Sequence, residues 1–153
     1  MNRRHIPLRI APFDPQDLHV MTPCALALRE MALIDRSALA FARAQEGRGF
    51  TARDARGHVV CCAGASVIHS RYATLWAIYA DHIGPAAAAG LLRATRHFIG
   101  KLGEEFARVD AMVSADEGRA VKWAKACGLS LEARLAEANP AGGDYLVFRK
   151  VSA

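Results

Sequence analysis

The chain has 153 residues, 52% of them hydrophobic and 23% charged, which is enough for one hydrophobic core, and a single domain over residues 1–153 is expected. Its formal net charge of +5 favours anionic partners, and no apolar run approaches the ~20 residues that cross a bilayer. Met1-Asn2-Arg3-Arg4-His5-Ile6-Pro7 has basic residues with no apolar stretch behind them, so a soluble, unsecreted protein with no membrane partner is expected.

Leu8-Arg9-Ile10-Ala11 alternates apolar and polar residues, as a half-buried strand does, and ends at Pro12. Asp14-Pro15 with Asp17 is a helix start, and Thr22-Pro23 repeats the signal before a second helical segment over residues 24–32, with Leu26, Leu28, Met31 and Leu33 as its apolar positions. Asp35 can cap a third segment, with Leu39, Phe41 and Ala42 facing inward and Gly47 and Gly49 ending it. From Phe50 the period changes to that of strands. Residues 50–54 and 58–63 form a hairpin across Ala55-Arg56-Gly57, Gly64-Ala65-Ser66 loosens the second strand, and Ser70-Arg71 turns into a third strand over residues 72–80.

That third strand leads into the stretch around which the chain is organised. Leu75-Trp76-Ala77-Ile78-Tyr79-Ala80-Asp81-His82-Ile83 stops at Gly84-Pro85, and an alanine-rich helix begins at once. A strand end followed by a helix start aims backbone N–H groups and the positive end of a helix dipole at whatever lies beyond, which suits an anion. The helix carries Leu91, Leu92, Thr95, Phe98, Ile99, Leu102 and Phe106 on one face, with Arg93, Arg96, His97 and Lys101 on a solvated one. Residues 108–113 read as a strand parallel to residues 72–80 in a βαβ unit. Ser114-Ala115-Asp116-Glu117 opens a further helix through Ala120, Val121, Trp123, Ala124 and Cys127 that stops at Gly128. Residues 129–135 and 144–150 pair across a loop with Asn139-Pro140 and Gly142-Gly143. Condensed, the order is β-α-α-β-β-β-α-β-α-β-β, a mixed α/β (α+β) fold with one central sheet.

The cysteines Cys24, Cys61, Cys62 and Cys127 form no CxxC pair and stand at no metal-ligand spacing to a histidine, so no metal site is expected. Neither Cys62 nor Cys127 carries a local signature of a cysteine–histidine nucleophile. Arg93, Arg96, Lys101, Arg119, Lys122 and Lys125 lack the aromatic interleaving of a nucleic-acid module, and a nucleic-acid partner is not expected.

Taken together, residues 8–17, the hairpin from Phe50, the strand-turn-helix from Ile78 to Leu92, and Ala120 to Gly128 running into a strand resemble the GNAT superfamily of N-acetyltransferases over essentially the whole chain. Met21-Thr22-Pro23, and Trp123 followed by Lys125 and Gly128, are similar to phage-type members of that fold, among them a small internal virion protein of podoviruses. The resemblance implies acetyl-CoA in a cleft where the fourth and fifth strands splay, with its pyrophosphate on a loop of the form Arg/Gln-x-x-Gly-x-Gly/Ala. Aligned on Leu91-Leu92, Ile83 stands at the Arg/Gln position and Ala86 and Ala88 at the two glycines, so the loop is degenerate. The family's asparagine and tyrosine on the helix before the sixth strand fall at Glu117 and Ala124.

The implied cofactor-binding positions are Ile78, Ala80, Gly84, Ala86, Ala87 and Ala88, with the backbone N–H groups of all but Ile78 as the contacts. Proton transfer during acetylation of an unknown amine falls to Asp81, His82 or Tyr145. The alternative is a catalytically silent phage or prophage protein that binds other phage or host proteins. The implied location is the cytoplasm of a bacterial host or a phage virion.

Overall fold

The computed structural model describes residues 8–151, so the basic stretch from Met1 to Pro7 lies outside the described residues. The alternating residues near the start form β1 (Leu8–Pro12), antiparallel to β2 (Gly49–Asp54) with Ile10 opposite Ala52. Between them stand three helices, α1 (Asp17–Val20), α2 (Ala25–Met31) and α3 (Arg36–Glu46), one more than the condensed order counts. The Asp14 carboxylate accepts the Gln16 N–H at 2.9 Å across Pro15, the capping contact expected of this helix start, and α1 itself runs from Asp17. Asp35 caps α3 as expected, accepting from the N–H groups of Ser37 at 2.8 Å and Ala38 at 3.1 Å, and Gly47 ends it at φ +67°.

The faces of these helices differ from expectation. α3 buries Ala40 and leaves Phe41 64% exposed, with Ala42 also exposed. α2 buries Ala27 and Met31 while Leu28 and Leu33 face solvent. Apolar residues follow one another without a break at Ala25–Leu28 and Ala38–Ala42, so their spacing alone does not select one face.

β3 (Val59–His69) pairs antiparallel with β2, placing Thr51 opposite Cys62, with a bulge between Ala52 and Arg53. The expected loosening at Gly64 does not occur: Gly64 pairs with Gly49, and the strand runs on through buried Ala65. β4 (Tyr72–Tyr79), α4 (Pro85–Glu105) and β5 (Arg108–Ser114) form the βαβ unit, and the parallel ladder joins the first three residues of each strand, Tyr72 to Arg108, Ala73 to Val109 and Thr74 to Asp110. Ser114 belongs to β5 rather than to the next helix, α5 (Gly118–Ala126). β6 (Leu129–Leu135) and β7 (Tyr145–Lys150) complete a sheet of seven strands in the order β1-β2-β3-β4-β5-β7-β6, mostly antiparallel.

Contacts divide the chain into two compact units. The first comprises the described part of Met1–Gly64 together with Ala77–Arg93, and buries Leu18, Phe50, Val60, Cys62, Ile78 and Leu91. Within it Gly90 lets α4 lie close to β1, since a Cβ there would stand 3.1 Å from that of Leu8. The second unit, Ala65–Trp76 with Ala94–Ala153, has a core of Ala65, Ala73, Leu102, Phe106 and Val109, with Leu75 and Phe98 against it. Among the described residues, no helix is long and apolar enough to cross a membrane.

Candidate functional site

The end of β4 and the start of α4 lie in the first unit, and the hydrogen bonds there decide which groups can meet a ligand. Ile78 is 8% exposed, its side chain buried. The Ala80 N–H donates to the Val60 carbonyl at 2.9 Å, and Ala80 also forms a β-bridge with Pro23. On either side of that bridge Cys24 N–H donates to the Tyr79 carbonyl and Asp81 N–H to the Thr22 carbonyl, each at 2.9 Å. The strand end is thus held by the segment from Thr22 to Cys24. The Ala80 N–H, expected to face a cofactor, is spent on β3.

At the helix start, Ala88 N–H donates to the Gly84 carbonyl at 2.9 Å, which makes Gly84 the N-cap and Pro85 the first helical residue. Ala88 therefore drops out of the expected donor set as well. Proline has no N–H, so the donors that the helix cannot satisfy internally are those of Gly84, Ala86 and Ala87. Ala86 is exposed, Gly84 half-buried and Ala87 buried, so the Ala86 methyl stands at the solvent side of this turn. The helix dipole gives the turn a partial positive charge that favours an anion.

Asp81 and His82 are exposed in the connection between Tyr79 and Pro85, in the same unit as these donors. Tyr145 is half-buried in the second unit, where it opens β7 between Ser114 of β5 and Leu135 of β6. Ala124 is 5% exposed and offers no hydroxyl at the position where the resemblance calls for a tyrosine.

Two polar networks escaped the sequence reading. In the first unit, Asp17 is 5% exposed, accepts the Thr51 hydroxyl at 2.6 Å and pairs with the Arg53 guanidinium. Cys62 lies 3.9 Å from the Thr51 hydroxyl, and burial pushes its thiol up to about 12, against a smaller lowering by that contact. In the second unit, Asp110 accepts from the Tyr72 hydroxyl at 2.8 Å and from the Arg108 Nε and Nη2 groups at 3.0 and 2.7 Å. Arg108 also donates to Glu132 at 3.1 and 2.6 Å, and its guanidinium lies 5.3 Å from the Tyr72 ring centroid. Burial and then the Asp110 bond raise the Tyr72 hydroxyl above its ordinary value. The signal available in the sequence was the spacing of Arg108 and Asp110, two apart on one strand face. Asp17 and Thr51 are 34 residues apart, and only the topology joins them. Among the described residues, no group of three His, Cys, Asp or Glu side chains could hold a metal ion.

No protein-family model and no curated protein matches the sequence. Solved structures do match. The GNAT-family acetyltransferase of Bacillus anthracis aligns with a TM-score of 0.69 at 8% identity, covering 97% of this chain and 96% of that one. Ard1 of Thermoplasma volcanium aligns at 0.67 with 18% identity over 97% and 99%. A GNAT-superfamily phosphinothricin acetyltransferase of Sinorhizobium meliloti, solved with acetyl-CoA, aligns at 0.65 with 15% identity over 95% and 88%. Element order, parallel β4–β5 pairing and these end-to-end alignments agree: the chain has the mixed α+β fold of the GNAT-superfamily acetyltransferases.

Proposed function

We propose that the protein is an acetyl-CoA-dependent N-acetyltransferase with a divergent pyrophosphate loop, acting on an amine in the cytoplasm of a bacterium. The observation that carries this reading is the turn at Gly84, Ala86 and Ala87, where unspent helix-start donors follow the strand end in a chain folded like acetyltransferases from end to end. These donors fit an anionic group, although Ile83 adds no charge and the Ala86 methyl holds a ligand further from the backbone than glycine would.

In the reaction, the amine nitrogen attacks the thioester carbonyl carbon, the N–C bond forms and the C–S bond breaks. The amine proton passes to Asp81 or His82, directly or through water, and the departing thiolate takes up a proton. Tyr145 is the third candidate for proton transfer. Backbone N–H groups at the helix start hold the donor and do not themselves react.

A catalytically silent interaction protein is the second reading, its silence favoured by the commitment of the Ala80 N–H to Val60, while a phage or prophage origin rests on the resemblance alone. Calorimetric titration with acetyl-CoA separates the two. Binding stabilises the native state, by about 1.4 kcal/mol at a free concentration ten times Kd, so heat and a raised Tm are expected together. Thiol release in the presence of a panel of primary amines should then fall about 100-fold or more in whichever of D81N, H82Q or Y145F removes the proton acceptor. Absence of both heat and thermal shift up to millimolar acetyl-CoA sinks the enzyme reading, and co-purification with virion proteins supports the second.

A further inference from the structure

We propose that the Tyr79 hydroxyl is the acid that protonates the departing thiolate, a role that rests on the acetyl-transfer reading above. The bridge between Pro23 and Ala80 sorts the side chains at the end of β4 onto two sides. Residues opposite each other in an antiparallel bridge share a side, and their chain neighbours take the other. Thr22, Cys24, Tyr79 and Asp81 therefore project together, away from the side of Pro23 and Ala80. Exposure agrees with this division. Pro23 is buried, Thr22 and Asp81 are exposed, and Cys24 and Tyr79 are half-buried. A hydroxyl, a thiol, a phenol and a carboxylate thus share one side of the strand end, all within the first unit.

Bonds on both edges fix this backbone. Cys24 N–H to the Tyr79 carbonyl, Asp81 N–H to the Thr22 carbonyl and Ala80 N–H to the Val60 carbonyl are each 2.9 Å. Such a held position is what a proton donor to a reacting atom needs. Tyr79 stands five residues before Gly84, a chain span of at most about 17 Å, so a donor with its anionic end at the α4 start can lay its thioester end beside this side of the strand.

The chemistry selects the phenol. Breaking the C–S bond leaves the electron pair on sulfur, and the sulfur needs a proton. An aliphatic hydroxyl such as that of Thr22 does not ionise at working pH, whereas phenols ordinarily ionise near about 10 and thiols near about 8.5, a close match for transfer between them. As the amine nitrogen forms the N–C bond, Tyr79 gives its O–H proton to the sulfur and Asp81 takes the proton from the nitrogen. Water returns that proton from Asp81 to the phenolate, so amine and thioester become amide and thiol and the protein is restored.

The test compares the full chain with Y79F and C24S. Each is titrated calorimetrically with acetyl-CoA and with CoA at about pH 9, where most of a free thiol is ionised, and assayed for thiol release with the amine panel. Y79F keeps the ring and should bind acetyl-CoA as the parent does. It should bind CoA about tenfold or more weakly, the loss of one hydrogen bond to a charged sulfur, and lose about 100-fold in kcat with KM unchanged. C24S, which removes the neighbouring thiol, should match the parent throughout. The fall of kcat at high pH, where the acid form is lost, should move to lower pH with a fluorinated tyrosine at position 79, which keeps ring and hydroxyl. An unmoved fall overturns the inference whether or not Y79F folds. If Y79F binds CoA and turns over like the parent, or loses CoA and acetyl-CoA alike, Tyr79 only packs, and this inference fails while the acetyl-transfer reading stands. If the parent binds neither ligand, both fail together.

Discussion

Cys62 shows how burial silences a side chain that is nucleophilic in solution. It sits fully buried beside Thr51, in the network that ties Asp17 of α1 to Arg53 of β2, and its thiol is pushed up to about 12 by that burial. Cys127 is likewise pushed up to about 11 by burial, against a smaller lowering from Arg96. Only the thiolate is a competent nucleophile, so at about pH 8 these two sites hold roughly one thiolate in ten thousand and one in a thousand. Cys24, by contrast, is half-exposed at the start of α2, and no disulfide links any of the four cysteines. Brief treatment of the native protein with iodoacetamide should therefore modify Cys24 alone, and all four after unfolding, as read by peptide mass spectrometry. Native labelling of Cys62 as fast as Cys24 would contradict its placement in the core.

α4 is the longest element and was legible in outline because Pro85 marks its start and the leucine and phenylalanine positions recur at helical spacing. What periodicity could not supply is the use of its glycines. Gly100 has nothing within 4 Å of an added Cβ, whereas Gly90 has the Leu8 Cβ at 3.1 Å. A glycine inside a helix costs about 1 kcal/mol relative to alanine. G100A should recover most of that, about 0.5–1 kcal/mol of added stability. G90A gains the same propensity but forces β1 and α4 apart, so its net effect should be near zero or destabilising by about 1 kcal/mol. Urea midpoints at unchanged slope would measure both. Equal stabilisation by the two would mean that Gly90 is not a close-packing glycine.

Across the whole molecule, the strand framework was legible and the contacts that bind it were not. Gly57, Pro85 and Gly128 punctuate the sequence where the hairpin, the crossover helix and the last strand pair begin or end, so the order of strands followed from turn chemistry and period. At the candidate site, position was legible and occupancy was not, since nothing local to Ala80 announces Val60 as its acceptor and the loss of Ala88 depends on which carbonyl opens the helix. The ion pairs were hidden for the same reason. Glu132 of β6 takes two bonds from Arg108 of β5 and lies 3.3 Å from the Nε of Arg149 in β7, joining three strands of the second unit. The Arg108 bonds, more than the opposing effect of burial, hold the Glu132 carboxyl below its ordinary value of 4.5. Asp144 is also held below its ordinary 3.8, first by the Glu137 N–H and then by Arg134. A carboxylate whose folded value is depressed adds stability above its unfolded value and loses it as pH falls through the folded one. E132Q should therefore be less stable than the parent protein at about pH 7, and the gap should close as pH falls below about 4.5, while the Asp144 contribution changes alike in both and drops out of the difference. Equilibrium unfolding at several pH values reads this directly. A gap that stays constant down to about pH 3 would assign the loss to packing of the side chain rather than to the charge that spans β5, β6 and β7.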